Sequence, residues 1–252
     1  MPEGDTIWRT ARSLDQALGG RALVRFDAAR LTFRPFPAGT VVEGAEAAGK
    51  HCLVHFDDGR TLRTHMRMTG SWHLYRPGER WRHKASAMRA LVEVDGWVAV
   101  CFAAPDVELT GRGHVAVDHL GPDLCAADAD IDEAVRRLGE LSPPGRTIGE
   151  SLLDQRIAAG IGNLFKSEAC FACGIDPFTP VERLDLETRR RLLVVAAEQL
   201  RAGIDAGRRP AFVYGHRDRP CRRCGTTIAW AAQGEHRRGT YWCPTCQPGL
   251  PI

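Results

Sequence analysis

Pro2 and Glu3 place a secondary amine next to a carboxylate at the start of the chain. Proline is small enough for an aminopeptidase to remove the Met1 before it, and that step exposes the Pro2 nitrogen as a free α-amine. An α-amino group has a pKa of about 8, so an appreciable fraction is unprotonated near neutral pH. A secondary amine attacking an aldehyde-level carbon gives a charged iminium, which serves as an electron sink for later bond breaking. Glu3 can protonate a leaving group or take up a proton if the fold turns it to the same point. The chemistry expected here is nucleophilic catalysis at the mature N-terminus.

At the other end of the sequence, Cys221-x-x-Cys224 and Cys243-x-x-Cys246 are separated by eighteen residues. Two such pairs close a tetrahedral Zn²⁺ site of four thiolates with no open position, so one structural zinc per chain is expected. Thr226-Thr227-Ile228 and Gly239-Thr240-Tyr241-Trp242, on either side of a turn with Gly234, suit a β-hairpin finger. Cys170-x-x-Cys173 has the same spacing but falls inside a helical segment, with the four ligands already supplied elsewhere. Cys52, Cys101 and Cys125 read as small core residues. Gly160-Ile161-Gly162-Asn163 lacks the third glycine of a dinucleotide fingerprint, since Phe165 stands there, and no buried strand precedes it. Helix, glycine turn, helix fits better, with Asn163 as N-cap and the first amides of the second helix available to a phosphate.

The elements that position these groups follow from periodicity. Over residues 6–18, Ile7, Ala11, Leu14 and Leu18 form one stripe, Thr6 can cap and Gly19-Gly20 stops the helix. The Pro2 amine therefore sits just before a helix N-terminus. From residue 21 to about 118 short alternating segments take over, with hairpin signals at Asp58-Gly59 and Asp95-Gly96, which predicts an antiparallel β-sandwich or barrel. Gly49-Lys50-His51 opens one strand, and the stretch holding Arg67 and Met68 closes another. Gly121-Pro122-Asp123 marks a break, and the domain boundary is placed near Leu124. Helices are predicted over 131–141, 164–173 and 186–200.

The net charge of +3 permits a polyanionic partner without demanding one. Of 34 basic residues only Lys50, Lys84 and Lys166 are lysines, so a retained lysine stands out. No stretch approaches the length of about 18 apolar residues that crosses a bilayer. The chain is expected to be soluble and cytoplasmic, with its nine cysteines reduced or metal-bound.

Together these pieces resemble the formamidopyrimidine-DNA glycosylase and endonuclease VIII family of base-excision repair enzymes. The likeness runs through Pro2-Glu3-Gly4-Asp5-Thr6, Gly49-Lys50, Leu153-Asp154-Gln155, Gly160-Ile161-Gly162-Asn163, Ser167-Glu168 and Arg238-Gly239-Thr240-Tyr241-Trp242-Cys243. It implies an α+β fold of two domains. The first, 1–124, would be a catalytic β-sandwich with an N-terminal helix. The second, 125–252, would join a helix-two-turn-helix part (125–216) to a zinc finger (217–252), with DNA held in the cleft between the domains. It also implies Pro2 as nucleophile at C1′ of a damaged nucleotide, and Glu3 as acid and base. Lys50 would contribute to catalysis and, with Gln155, Gly162, Asn163 and Arg238, bind DNA, while Met68 would fill the gap left by the flipped base. The Arg and Phe that family members add to that wedge are absent near Ala104-Pro105-Asp106-Val107-Glu108.

The resulting expectation is a monomeric, bifunctional glycosylase and abasic-site lyase acting on double-stranded DNA with damaged bases or abasic sites, and on single-stranded or bubble DNA as further candidates. A catalytically silent damaged-DNA binding protein of the same fold is the alternative, and intact Pro2, Glu3 and Lys50 argue against it. A zinc-ribbon factor would leave the first half of the chain without a role. The family branch that excises oxidised purines closes a long loop over the flipped base. The corresponding 202–218 connection is short here, so oxidised pyrimidines are the expected substrates, with β,δ-elimination removing the sugar.

Overall fold

The computed structural model describes residues 2–111, 117–207 and 209–249. Met1, whose removal the Pro2 chemistry requires, and Arg208 of the 202–218 connection lie outside the described residues. The chain divides into two compact units, Met1–Asp118 and His119–Ile252. This division falls before the boundary expected at Leu124. Residues 121–124 belong to the second unit because Gly121 N–H donates to the Gln155 carbonyl, Leu124 N–H to that of Ala159, and Ala159 N–H to that of Pro122.

The first unit opens with helix α1, Gly4–Leu18. It starts earlier than the periodicity suggests: Glu3, in extended conformation, is the N-cap residue, and its carbonyl receives the N–H groups of Thr6 and Ile7. Thr6 therefore lies within the first turn and does not cap. Eight strands follow: β1 Arg21–Asp27, β2 Val41–Ala48, β3 His51–Phe56, β4 Thr61–His65, β5 Ser71–Tyr75, β6 Met88–Val94, β7 Trp97–Phe102 and β8 Asp106–Thr110. They form an antiparallel run in the order β5-β7-β6-β1-β2-β3-β4-β8. β1 is the shared strand, pairing with β2 through Arg21 and Ala22 and with β6 from Leu23 onward. The run thus folds into the two layers of a sandwich.

One buried cluster joins Ile7, Leu14 and Leu18 of α1 to Val54 and Leu62 of one layer and Val92 and Cys101 of the other. Leu91, Val98, Val100 and Phe102, which alternate with the inward residues of β6 and β7, form a second cluster with Tyr75 and Trp81. Both faces of these strands are covered, which is why they read as nearly continuous apolar runs. Asp15 Oδ1 accepts the Ala45 N–H at 2.9 Å and fastens the end of α1 to β2.

The second unit contains α2 Ile131–Glu140, the single turn α3 Ile148–Ser151, α4 Asn163–Cys173, α5 Leu186–Ala206 and the hairpin β9 Ala229–Gln233 with β10 Arg238–Trp242. Asp130 and Asp185 cap α2 and α5 by accepting the N–H groups of Glu133 and Thr188. α5 continues past Leu200 to Ala206, where Gly207 ends it in a left-handed conformation. Residues 202–206 of the expected connection are therefore helical. No helix among the described residues is long and apolar enough to cross a membrane.

Candidate catalytic and nucleic-acid-binding sites

Glu3 is 1 % exposed, and its carboxylate makes no cap hydrogen bond to α1. Pro2, directly before it, is partly exposed. The fold thus holds Pro2 directly before a helix end and leaves it partly open to solvent.

Lys50 occupies the turn between β2 and β3, where Gly49 takes a positive φ of 58°. It belongs to a cationic rim. Its charge, with those of Arg67 and Arg63, acts on His65, whose imidazole is pulled below its ordinary value first by burial and then by these cations, against the opposing pull of Asp106. His51 and His65 pack with ring centroids 4.8 Å apart. Met68 is 66 % exposed in the turn after β4. That turn is braced: Thr69 Oγ1 donates to the Ala103 carbonyl at 3.0 Å, and Arg67, at a φ of 44°, pairs with Asp106 at 2.6 Å. An apolar side chain held out on a braced turn can insert between bases. The Arg67–Asp106 pair was missed by the sequence reading. Its only signal was an aspartate standing where the family carries other residues.

In the second unit Gly162, not Asn163, is the N-cap of α4. Asn163 is the first helical residue, and its Nδ2 donates to the Gly239 carbonyl at 2.6 Å, which draws the amide away from capping. Asn163 Oδ1 is buried without a protein partner, and Nδ2 carries a second hydrogen. Arg238 is exposed at the start of β10, one residue before Gly239. Asn163, the Gly162 end of α4 and Arg238 are therefore brought together. Gln155 is placed differently. Its Nε2 donates to the carbonyls of Leu153 and Ile161, and its Oε1 accepts the Gly160 N–H, so the side chain staples the glycine turn from inside.

Asp154, next to it, joins Arg146 and Arg156, and hydrogen bonds from Arg156 hold its carboxyl down to about 2. Glu168 is 4 % exposed and accepts the backbone N–H groups of Phe212, Val213 and Tyr214 at 2.9, 2.9 and 2.8 Å.

The sulfurs of Cys221, Cys224, Cys243 and Cys246 all lie within 4.8 Å of one another. Cys221 and Cys246 are 3.9 Å apart, Cys224 and Cys243 3.4 Å. Four thiolates at about 2.3 Å from a tetrahedral zinc would stand about 3.8 Å apart, so the cluster fits that ion. Hydrogen bonds from Thr226 draw the Cys224 thiol down to about 6. Burial beside the other three thiols pushes Cys246 up to about 12, a penalty that a bound divalent cation removes by binding the thiolate. Cys170, by contrast, is enclosed in α4, and its burial holds the thiol at about 12.

Residues 1–105 match the formamidopyrimidine-DNA glycosylase N-terminal domain, and residues 120–211 match the formamidopyrimidine-DNA glycosylase H2TH domain. The chain is 41 % identical to the "Probable endonuclease 8 2" of Streptomyces coelicolor, with 99 % of this chain and 95 % of that protein aligned. It is 33 % identical to the "DNA-(apurinic or apyrimidinic site) lyase Nei2" of Mycolicibacterium smegmatis, covering 98 % and 99 % of the two chains. The fold superposes on Lactococcus lactis formamidopyrimidine-DNA glycosylase bound to abasic-site DNA with a TM-score of 0.82 at 21 % identity, covering 98 % of this chain and 100 % of that one.

Proposed function

The chain belongs to the formamidopyrimidine-DNA glycosylase and endonuclease VIII family, and from that premise we propose that it is a bifunctional DNA glycosylase and abasic-site lyase of base-excision repair that works through Pro2. The observation that carries this reading is the placement of Glu3, 1 % exposed at the N-terminus of α1 directly behind the partly exposed Pro2. The alternative of a catalytically silent binding protein would leave that arrangement without a role.

With Met1 removed, the Pro2 nitrogen attacks C1′ of a flipped-out damaged nucleotide. The C1′–base bond breaks, its electron pair leaves with the base, and the base takes up the proton that the Pro2 nitrogen gives up on bonding to C1′. Glu3 protonates the sugar ring oxygen as the C1′–O4′ bond opens, giving an iminium between Pro2 and C1′. This cation lowers the barrier to loss of the C2′ proton. Elimination then expels the 3′ phosphate and next the 5′ phosphate, and water releases the remaining sugar fragment from Pro2. Lys50 holds a phosphate beside the reacting sugar. Met68 fills the space that the extruded nucleotide vacates. Asn163, the first amides of α4 after Gly162, and Arg238 bind DNA phosphates, and Gln155 keeps the turn before α4 in shape.

The four-cysteine cluster holds Zn²⁺, which supplies a structural cross-link between the two ends of the finger and takes no part in bond breaking. The substrate is DNA with oxidised pyrimidines, and abasic sites are cleaved without the glycosidic step.

Borohydride added during reaction with abasic-site DNA is expected to trap a covalent complex that peptide mapping assigns to Pro2. Trapping on a lysine, or undiminished trapping in Pro2→Gly, would rule this mechanism out. Glu3→Gln should slow base removal more than cleavage of preformed abasic sites, where the glycosidic bond is already gone. Equal losses on both substrates would contradict that division of labour.

A further inference from the structure

Among the described residues Lys166 is the one lysine or arginine in the buried class, at 0 % exposure. An enclosed ammonium carries a desolvation penalty of several kcal/mol unless it is neutralised and hydrogen-bonded. A helix former without charge would fill the position at lower cost. The chain otherwise relies on arginine for its cations, so this lysine calls for a reason.

Lys166 stands one turn after Asn163 on α4, and residues three apart lie on one helix face. Both reach β10. Asn163 Nδ2 donates to the Gly239 carbonyl at 2.6 Å, and Lys166 Nζ donates to Thr240 Oγ1 at 2.6 Å. These are the two residues that follow Arg238. The direction of the onward bonds is fixed by chemistry, since an ammonium only donates and a hydroxyl has one proton. Thr240 accepts from Lys166 and gives its proton to Gln233 Oε1 at 2.7 Å. Gln233 Nε2 donates to Thr147 Oγ1 at 2.9 Å and to the Pro177 carbonyl at 2.8 Å. Thr147 Oγ1 in turn donates to Glu150 at 2.5 Å. A directed chain thus runs from a buried cation on α4, across the finger hairpin, to a carboxylate on α3.

Gly149 makes room for it. A Cβ there would lie 2.5 Å from Gln233 Oε1. Gln233 is also the residue that pairs with Arg238 in the hairpin, so the chain grips both strands at the rung that carries Arg238. A slip of one residue in a hairpin turns every side chain to the other face.

We propose that Lys166 is a positioning residue for phosphate binding: its ammonium fixes the register and seating of β10, so that Arg238 is presented beside Asn163 at the start of α4. The inference rests on the phosphate-binding role proposed above for Asn163 and Arg238. Lys166 touches neither the DNA nor the reacting atoms in this scheme.

The test uses the full-length zinc-loaded protein and a duplex bearing a single tetrahydrofuran abasic-site analogue, with affinity measured across a salt series. Lys166→Met should weaken binding about tenfold and flatten the log-affinity against log-salt slope by about one unit, the share of a single phosphate contact. Arg238→Ala should do the same in the parent but cost no more than about twofold further in Lys166→Met, since residues acting as one unit are not additive. Single-turnover cleavage of abasic DNA at saturating enzyme should change less than affinity does. Thr240→Val, which keeps the ammonium and removes its acceptor on β10, should reproduce the defect, while Thr240→Ser should bind like the parent. This second pair decides the matter if Lys166→Met fails to fold. Parent-like affinity and slope in Thr240→Val or in a folded Lys166→Met, or full multiplication of the Arg238→Ala loss on top of Lys166→Met, would overturn the inference. Failure of the parent itself to bind the duplex in a salt-dependent way would instead overturn the proposed function, and with it the premise used here.

Discussion

Glu168, two-thirds of the way along the chain, accepts the backbone N–H of Val213 at 2.9 Å, and the same carboxylate takes the N–H groups of Phe212 and Tyr214. Three converging donors on one nearly enclosed carboxylate fasten the segment that follows α5 onto α4. Charge-assisted hydrogen bonds of this kind are stronger than neutral ones.

Glu168→Gln follows directly as a test. The amide nitrogen must occupy one of the two oxygen positions, so at least one backbone N–H faces another donor and loses its partner. The expected cost is about 2 kcal/mol, the usual range for a buried group left unsatisfied. Thermal unfolding should show the loss, and limited proteolysis should cut between residues 207 and 214 faster than in the parent. Unchanged cutting would mean that other contacts hold the segment.

Zinc removal addresses the finger. The four-cysteine cluster can hold a metal ion, and the finger core of Phe171, Val213, Cys221, Ile228 and Cys243 is small, so a bound metal would be coupled to folding of this part. Cys224→Ser should lower zinc content below one per chain and weaken binding to abasic-site DNA by about tenfold or more, because Arg238 sits on the hairpin that the metal closes. Elemental analysis and a binding titration check both halves of this expectation. Full zinc with full affinity in Cys224→Ser would remove this cysteine from the ligand set.

How much was legible in the sequence depends on where each residue's partner lies. The hairpins at Gly59 and Gly96 were readable because their φ angles, 86° and 77°, suit glycine and the flanking runs alternate. The cysteine pairs were readable because ligand spacing is local. Arg67 at a φ of 44° was not, since nothing in an arginine announces a left-handed conformation. Asn163 looked like a cap, but its amide finds Gly239, and only the folded hairpin supplies that carbonyl. Lys166 stood out as a retained lysine, but what it does depends on Thr240, which arrives from the far end of the chain. The start of α1 was misread by a few residues because Glu3 caps with backbone geometry alone.

Acid stability offers a test of the glycine-turn region. Asp154 is held near 2, against an ordinary value of 3.8, mainly by hydrogen bonds from Arg156. A depressed carboxyl pKa in the folded state contributes stability that is full above the ordinary value and is lost as pH falls toward 2. The difference in unfolding midpoint between the parent and Asp154→Asn should therefore be constant from pH 7 down to about 5 and shrink through pH 4 to 2. A gap that stays constant across that acid range would show that the ion pairs with Arg146 and Arg156 contribute nothing to folding.

The substrate preference rests on the same Glu168 clamp. α5 runs to Ala206, and Phe212 to Tyr214 are tied to α4. Farther on, Asp218 N–H donates to the Ile228 carbonyl, and Ile228 N–H returns to that of Arg219. Among the described residues, the chain between α5 and Cys221 is therefore anchored at two places, with too short a run between them to fold over a base as a lid. A flipped purine exposes more ring surface than a pyrimidine, and covering apolar surface is worth roughly 25 cal/mol per Å². A site without a cover forgoes more of that gain with the larger base, so the smaller one is favoured in relative terms. Single-turnover excision at equal enzyme excess should accordingly be faster on dihydrouracil and thymine glycol than on 8-oxoguanine opposite cytosine, with both phosphates expelled from the abasic product. Faster removal of 8-oxoguanine by the parent enzyme would show that some other part of the chain covers the purine, and would reverse the substrate assignment without touching the chemistry at Pro2.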